Sequence, residues 1–148
     1  MRTLLGGLFI LTLGVTPAWA VLGEQEPSVI ADRQFLRGEL RDEQRQGYTV
    51  HQITDARGGV VREYVSPAGK VFGVAWQGPY APNMQQLLGS YFTYLQRYAE
   101  SQTHRHSGPI TIQESDFVFS SGGHMRWSRG RAYVPSLIPG NLSPEVVQ

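Results

Sequence analysis

The sequence predicts an α+β fold: an antiparallel β-sheet, made of a meander and a C-terminal hairpin, with one long amphipathic helix packed on it and a short N-terminal helix. Two patterns carry this prediction. Runs rich in Val, Tyr, Thr and Phe alternate with turn sequences between residues 48 and 76, and again between residues 110 and 134. Between residues 84 and 99, apolar side chains recur every three or four positions, which is the spacing of an amphipathic helix.

Length and composition indicate one folded domain. The chain has 148 residues, of which 41% are hydrophobic and 17% charged, a balance unlike that of a disordered protein. There is no cysteine, so disulfides, thiol nucleophiles and thiolate metal sites are excluded. The net charge of +1 argues against a nucleic-acid-binding protein, since such domains are usually strongly basic.

The N-terminus has the features of a secretory signal peptide. Arg2 supplies the positive charge, residues 4–15 form an uncharged apolar run, and Ala18-Trp19-Ala20 is a cleavage sequence. The run is shorter than the roughly 20 residues that a spanning helix needs. We therefore expect cleavage after Ala20 and a periplasmic or secreted protein with no integral membrane segment. The remaining chain divides into a loose leader at 21–27, one α+β domain at 28–140 and a C-terminal tail at 141–148.

The first half of the domain is predicted to be one helix followed by strands. Ser28 is a candidate N-cap for a helix over residues 29–37, which Gly38 ends. Residues 39–46 fit either a strand or a helical continuation, and the turn sequence Gln46-Gly47 slightly favours a strand. Strands follow at 48–54, 60–65 and 71–76.

The turn Ser66-Pro67-Ala68-Gly69 sets an expected register for the second hairpin. Pairing of Ser66 with Lys70 would place Tyr64 beside Phe72, and Val60 beside Trp76. The opposite face would then carry Val61, Glu63, Val65, Val71, Gly73 and Ala75. Because Gly73 and Ala75 are small, we expect that face to receive the helix over residues 84–99, which Asn83 would cap.

The C-terminal half is predicted to return to strands. A polar linker at 100–109 carries His104-Arg105-His106, and strand segments at 110–113 and 117–121 follow it. Gly122-Gly123 reads as the turn of a hairpin that returns through residues 124–127 and 132–134. Ser128-Arg129-Gly130 reads as a bulge or a second turn, and the Pro-containing stretch 135–148 reads as an irregular tail.

Six phrases of the mature chain, taken together and in order, resemble a family of exported proteobacterial proteins known as domain of unknown function 2844. They are Tyr48-Thr49-Val50-His51, Arg62-Glu63-Tyr64-Val65-Ser66-Pro67, Val74-Ala75-Trp76-Gln77-Gly78-Pro79, Leu87-Leu88-Gly89-Ser90-Tyr91-Phe92, Ser121-Gly122-Gly123-His124-Met125-Arg126 and Gly130-Arg131-Ala132-Tyr133-Val134-Pro135-Ser136-Leu137. The resemblance covers about residues 28–140. It implies export and a single compact domain, and it implies no activity, substrate or ligand.

Two residue pairs are weak catalytic candidates. Ser121 could act as a nucleophile with His124 as its base, and Asp116 or Glu63 as the orienting carboxylate. His51 and Glu63 would lie opposite each other on adjacent strands if residues 55–59 form a five-residue loop. The simpler interpretation of both pairs is structural: local hydrogen bonds at a turn, and a cross-strand polar pair.

Two further stretches carry chemistry of a different kind. His104 and His106 could bind a metal weakly, but a structural site needs about four ligands, so we expect a solvated linker and no metal. The segment Arg126-Trp127-Ser128-Arg129-Gly130-Arg131 is basic with an interleaved aromatic ring, and no acidic residue occurs from 117 to 144. Arginine binds carboxylates and phosphates bidentately, so this segment suits an anionic envelope glycan; charge pairing with the acidic N-terminal part explains it equally well.

These observations lead to a functional hypothesis. We expect a non-catalytic binding module for an envelope component, either a partner protein or a glycan, with no cofactor and no nucleic-acid partner. Its expected binding residues are Ser121, Gly122, Gly123, His124, Arg126 and Arg131. One alternative is a hydrolase-like enzyme using Ser121 and His124. Another is a small-ligand binder between the sheet and the long helix, lined by Tyr91, Tyr94 and Trp76.

Overall fold

A seven-stranded antiparallel sheet organises the protein, and the computed structural model describes it over residues 22–102 and 108–148. The strands lie in the order β1-β2-β3-β4-β7-β6-β5, so β1–β4 form one meander, β5–β7 form another, and β4 pairs with β7. The predicted α+β class is confirmed. The strands are β1 Glu39–Arg45, β2 Tyr48–Thr54, β3 Val60–Val65, β4 Val71–Gly78, β5 Ile110–Glu114, β6 Phe117–His124 and β7 Trp127–Tyr133.

Helices cover one face of the sheet, which we call the helix face. They are α1 Ser28–Leu36, α2 Met84–Leu88 and α3 Phe92–Ser101, and a 3-10 turn at Gly89–Tyr91 joins the last two. The predicted helix over 84–99 is therefore helical throughout but not a single α-helix. Gly89 interrupts it with a φ of 52°, a backbone conformation that glycine adopts without steric cost. Asn83 caps α2 as expected, by accepting a hydrogen bond from the Gln86 N–H.

The start of α1 differs from the prediction. The helix includes Ser28, and Pro27 occupies the N-cap position without a side-chain hydrogen bond. At its other end the left-handed residue is Arg37, with φ 49°, rather than the predicted terminator Gly38. Gly38 has a packing role instead, since a Cβ there would lie 2.5 Å from Cγ2 of Ile53.

The segment before α1 is held against the domain, although the sequence suggested a loose leader. Leu22 is buried in the core of the helix face. The Gly23 N–H donates to the Val71 carbonyl at 2.8 Å, and Gln25 forms an isolated bridge with Lys70. A short polar stretch therefore gains order from backbone pairing, which its composition does not reveal.

A β-bulge reverses the predicted faces of β4. The hairpin begins as expected, with the Ser66 N–H donating to the Lys70 carbonyl. The register then shifts between Tyr64 and Val65, so that Tyr64 pairs with Gly73 instead of Phe72. Because side chains alternate along a strand, the extra residue turns the rest of β4 over.

This shift changes which side chains meet the helices. Val74 and Trp76 join the core of the helix face, whereas Ala75 packs in the core of the opposite face. The prediction that the helix packs against Gly73 and Ala75 is therefore wrong. Gly73 instead receives the tail, because a Cβ there would lie 2.5 Å from Cγ2 of Val147.

The C-terminal tail covers part of the second face, which we call the tail face. Val147 is buried against Val50, Tyr64, Phe72 and Ala75. The Tyr64 hydroxyl donates to the Gln148 carbonyl at 2.6 Å and accepts from the Gln148 N–H at 3.1 Å. The tail follows an irregular path, as expected, with 3-10 turns at Pro135–Leu137 and Pro144–Val146.

The hairpin between β6 and β7 turns later than predicted. Residues Gly122 and Gly123 lie within β6 and pair with Arg129 and Ser128. The last pair is His124 with Trp127, which leaves Met125 and Arg126 as the turn, and residues 128–130 run straight through β7. Close packing explains Gly123, because a Cβ there would overlap the Trp127 carbonyl oxygen.

Candidate functional site

A shallow cleft of about 860 Å³ lies on the tail face beside the C-terminal tail. β3, β4, β7, β6 and the start of β5 form its floor and walls, and Gln148 of the tail borders it. The described residues that line it include no Asp or Glu. The side chains that give it a chemical character are Arg62, Gln77, Thr111, Ser120, His124, Trp127, Arg129 and Arg131.

The strand register brings the three arginines onto one face. Arg62 of β3 pairs with Ala75 of β4, and Ala75 pairs with Arg131 of β7. Neighbouring strands are about 4.8 Å apart, so the two arginine backbones are separated by about 10 Å across one small residue. Arg129 lies two residues from Arg131 and therefore projects to the same face, about 7 Å along the strand.

Hydrogen bonds orient two of these guanidinium groups. The Arg62 Nε–H donates to Oε1 of Gln52 at 3.1 Å, and an Arg131 N–H donates to the Val147 carbonyl at 3.1 Å. Each guanidinium has five N–H donors, so both retain donors for a ligand. Within residues 22–102 and 108–148, none of the three arginines forms an ion pair.

One end of the cleft combines a narrow open space above Gly122 with the aromatic ring of Trp127. Gly122 faces Arg129 across the strand pair, and a Cβ at Gly122 would lie 3.6 Å from Pro109, so the space above it is narrow but open. His124 and Trp127 form the next pair on this face, and both are exposed. Such a site offers charge-assisted hydrogen bonds to carboxylate or phosphate, and a ring on which a sugar could stack.

The predicted binding residues lie on different faces of the sheet. Gly122, His124 and Arg131 lie on the tail face, whereas Ser121 and Gly123 alternate to the helix face and border the cleft through their backbone. Arg126 is in the turn. Sequence reasoning missed Arg62, because nothing in a single sequence pairs position 62 with position 131.

Ser121 and His124 are not brought together. They are three residues apart in one strand, about 10 Å along it, and their side chains point to opposite faces. The His124 ring lies near its own chain instead, with Nδ1 3.3 Å from the Met125 carbonyl oxygen. Asp116, one suggested orienting carboxylate, accepts hydrogen bonds from the backbone and hydroxyl of Ser136. This geometry supplies no nucleophile–base pair.

His51 and Glu63 do lie opposite each other on β2 and β3, as the five-residue loop predicted, and both are buried on the helix face. The imidazole also contacts two other carboxylates. Its Nδ1 is 2.7 Å from Oδ1 of Asp42, and its Nε2 is 3.0 Å from Oε1 of Glu26. His51 thereby connects the segment before α1 and the edge strand β1 to β2.

No group of three or more His, Asp or Glu side chains in the described parts of the chain is arranged to hold a metal ion. His104-Arg105-His106 lies outside the described residues, as does the predicted signal peptide.

The aromatic residues suggested to line a ligand space under the long helix take part in core packing. The rings of Tyr91 and Tyr94 stack on Phe117 with centroids 5.4 and 5.2 Å apart, and Trp76 packs on Phe119 at 5.6 Å. Burial raises the pKa of the Tyr91 hydroxyl, and the nearby negative charge of Asp116 adds to that rise.

Comparison with known families identifies the family of this chain. A family model described as "Protein of unknown function (DUF2844)" matches residues 18–147, which is most of the chain. The chain belongs to the DUF2844 family. The resemblance inferred from the six sequence phrases is thereby confirmed. No curated protein and no solved structure matches the chain.

The matched region contains every described strand and helix of the DUF2844 chain and all of the tail except Gln148. Among the residues that the structure describes, no helix is both long and apolar enough to cross a bilayer.

Proposed function

We propose that this DUF2844 protein is an exported, non-catalytic binding module whose tail-face cleft binds the carboxylate or phosphate groups of an envelope component. The observation that carries the proposal is the alignment of Arg62, Arg129 and Arg131 around one cleft. No Asp or Glu lines this cleft, so its arginines are favourable sites for an anion, because the ligand supplies the missing charge partner.

The spacing of the arginines favours a ligand with more than one anionic group. The backbones of Arg62 and Arg131 lie two strands apart and those of Arg129 and Arg131 two residues apart, so anions about 7–10 Å apart match the spacing of these positions. An acidic polysaccharide with regularly repeated carboxylates has this property. The exposed Trp127 ring at one end adds a surface for a sugar ring.

The binding interpretation is favoured over the hydrolase alternative by the positions of Ser121 and His124 on opposite faces of β6. Export is supported by Arg2, the apolar run at 4–15 and the sequence Ala18-Trp19-Ala20. Cell fractionation followed by N-terminal sequencing tests that part, and we expect a periplasmic or secreted chain beginning at Val21. Unprocessed protein in the cytoplasm would contradict it.

Calorimetric titration with polygalacturonate, a soluble polymer of carboxylated sugars, tests the cleft. We expect wild-type binding that weakens with added salt, and no binding of neutral dextran. Arg129→Gln should weaken polygalacturonate binding about tenfold, since a charge-assisted contact contributes about 1.5–3 kcal/mol. The Arg129 side chain has no hydrogen bond or ion pair within the described residues, so the fold should be unaffected.

Arg62→Gln and Arg131→Gln should each weaken binding as well, although Arg131→Gln also removes a contact with the tail. Arg33→Gln is the matched control, because it deletes one exposed positive charge on α1, away from the cleft. Equal losses from Arg129→Gln and Arg33→Gln would mean that net charge, and not the cleft, causes binding. Absence of binding by the wild type would reject acidic glycans as ligands.

A further inference from the structure

The turn between β6 and β7 exposes two large apolar side chains, of a kind that is more often buried in the core. Met125 is 93% exposed and Trp127 is 41% exposed, and they flank Arg126 at the tip of the hairpin. Scattered exposed apolar residues are ordinary, but these two are neighbours at a projecting tip. Trp and Met also suit irregular apolar environments, since one has an amphipathic ring and the other a flexible thioether.

Basic residues surround this tip, and acidic ones are absent from it. Arg126 and Arg129 form no ion pair with any described residue, and the sequence has no Asp or Glu from position 117 to position 144. The tip therefore combines two exposed apolar side chains with two arginines. These groups match the boundary of an anionic bilayer, where acyl chains lie beneath a layer of phosphates.

The backbone at the tip provides a second, independent observation. Arg126 has a φ of 62°, a left-handed conformation that glycine or asparagine adopts at lower cost than arginine. Local strain of this kind concentrates at functional positions, where a side chain is needed in spite of its conformational cost. Packing does not account for arginine here, because the residue is exposed.

We propose that the β6–β7 tip contacts the surface of an anionic phospholipid bilayer. Met125 and Trp127 enter the interfacial region, and Arg126 and Arg129 bind headgroup phosphates. The inference rests on the proposed envelope location; Trp127 and Arg129 also line the cleft, whereas Met125 and Arg126 belong to the tip alone. A partner protein with an acidic apolar surface is the competing occupant, and the experiment below separates the two.

Co-sedimentation with vesicles tests the proposal. The protein as purified from its cells is mixed with vesicles of phosphatidylcholine and phosphatidylglycerol at 3:1, or of phosphatidylcholine alone. We expect binding to the anionic vesicles and a blue shift of tryptophan emission. The shift should be missing in Trp127→Phe, whose spectrum accounts for Trp76, the other tryptophan of a chain that begins at Val21. The double variant Met125→Ser, Trp127→Ser should lose at least about tenfold in anionic vesicle binding, because both apolar anchors are removed.

Ile30→Ser is the matched control, since Ile30 is also a large exposed apolar residue but lies on α1. It should bind anionic vesicles like the wild type. Arg126→Gly separates a loss of binding from a loss of folding. Glycine adopts the left-handed backbone at lower cost than arginine, so the melting temperature should rise. Vesicle binding should nevertheless weaken, because one positive charge is lost.

Several results would overturn the proposal. They are absence of binding to anionic vesicles, equal binding to neutral vesicles, equal losses in the tip variant and Ile30→Ser, or binding of soluble polyglutamate that depends equally on Met125 and Trp127. The last result would identify an acidic protein as the occupant. Polygalacturonate binding by Met125→Ser alone is expected to persist, because Met125 does not line the cleft, so failure here leaves the cleft proposal to its own test.

Discussion

Two adjacent glycines in β6 show how differently neighbouring residues can be constrained. A Cβ at Gly123 would overlap the Trp127 carbonyl oxygen, whereas a Cβ at Gly122 would meet Pro109 at an ordinary 3.6 Å. Gly123→Ala should therefore lower the free energy of unfolding by about 1–3 kcal/mol, as overpacking does. Gly122→Ala should change it by less than about 0.5 kcal/mol. Denaturant titration measures both, and equal effects would contradict the described pairing of β6 with β7.

Tyr64 is a second residue with a measurable signature, this time in the pH dependence of stability. Burial raises the pKa of its hydroxyl above the usual value of 10.0, and the hydrogen bond with the Gln148 backbone partly opposes that rise. The folded state therefore holds the phenol proton more tightly than the unfolded state does. Its contribution to stability is complete below pH 10 and is lost as the pH rises through the folded pKa.

The variant Tyr64→Phe should reduce this alkaline loss. At neutral pH it should cost about 1 kcal/mol, because two hydrogen bonds with Gln148 disappear. Above pH 10 the wild-type and variant stabilities should approach each other, while Tyr91, whose pKa is also raised, keeps some pH dependence in both. Parallel curves from pH 8 to pH 11 would show that Tyr64 is not buried as described.

Among the elements, the helical segment is buried less evenly than its sequence pattern implies. The apolar spacing predicts that Leu88 and Leu95 are both buried against the sheet. Leu88 is fully buried, but Leu95, which lies in α3 beyond the 3-10 turn at Gly89–Tyr91, is only half-buried. Leu88→Ala should cost about 2–5 kcal/mol in the free energy of unfolding, and Leu95→Ala clearly less. The reverse order would mean that α2 and α3 are misplaced.

His51 connects three elements, and its loss should loosen two of them together. Asp42 of β1 and Glu26 before α1 both contact its ring, and both carboxylates are about half-exposed. His51→Ala should cost about 1–2 kcal/mol and should speed amide hydrogen exchange in residues 23–26 as well as in β1. Thr49→Ala is the control, since the Thr49 hydroxyl bonds only to Gln44 of β1. Unchanged exchange in residues 23–26 of His51→Ala would contradict this connection.

At the scale of elements, most strands could be predicted from the sequence. The register of one hairpin and the position of one turn could not. The bounds of β2 and β3 follow from Val-, Tyr- and Thr-rich runs between clear turn residues, and the opposition of His51 and Glu63 follows from the loop length. The bulge near Tyr64 could not be predicted, since any residue can be the extra one. Gly122-Gly123 suggested a turn because glycine tolerates turn backbones, but close contact with a neighbouring strand also selects glycine.

At the scale of the whole molecule, the pairing of β4 with β7 determines the candidate site. That contact joins the two meanders and places Arg62 and Arg131 on opposite sides of Ala75. The sequence identified the basic segment 126–131 but not its partner strand, because the order of strands depends on contacts between distant residues. The net charge of only +1 has a consequence here: anion binding must come from the local arrangement of arginines and not from a strong overall field.

An NMR titration that observes the Arg Nε–H signals tests this central claim most directly. With added galacturonate oligomers, the account predicts shifts at Arg62, Arg129 and Arg131 and at the backbone amides of residues 120–123, with those of α1 unchanged. The three arginine signals should saturate at one common affinity, because one ligand contacts all of them. Shifts confined to α1 or β1, or equal small shifts of every arginine in the protein, would contradict a binding site in the cleft.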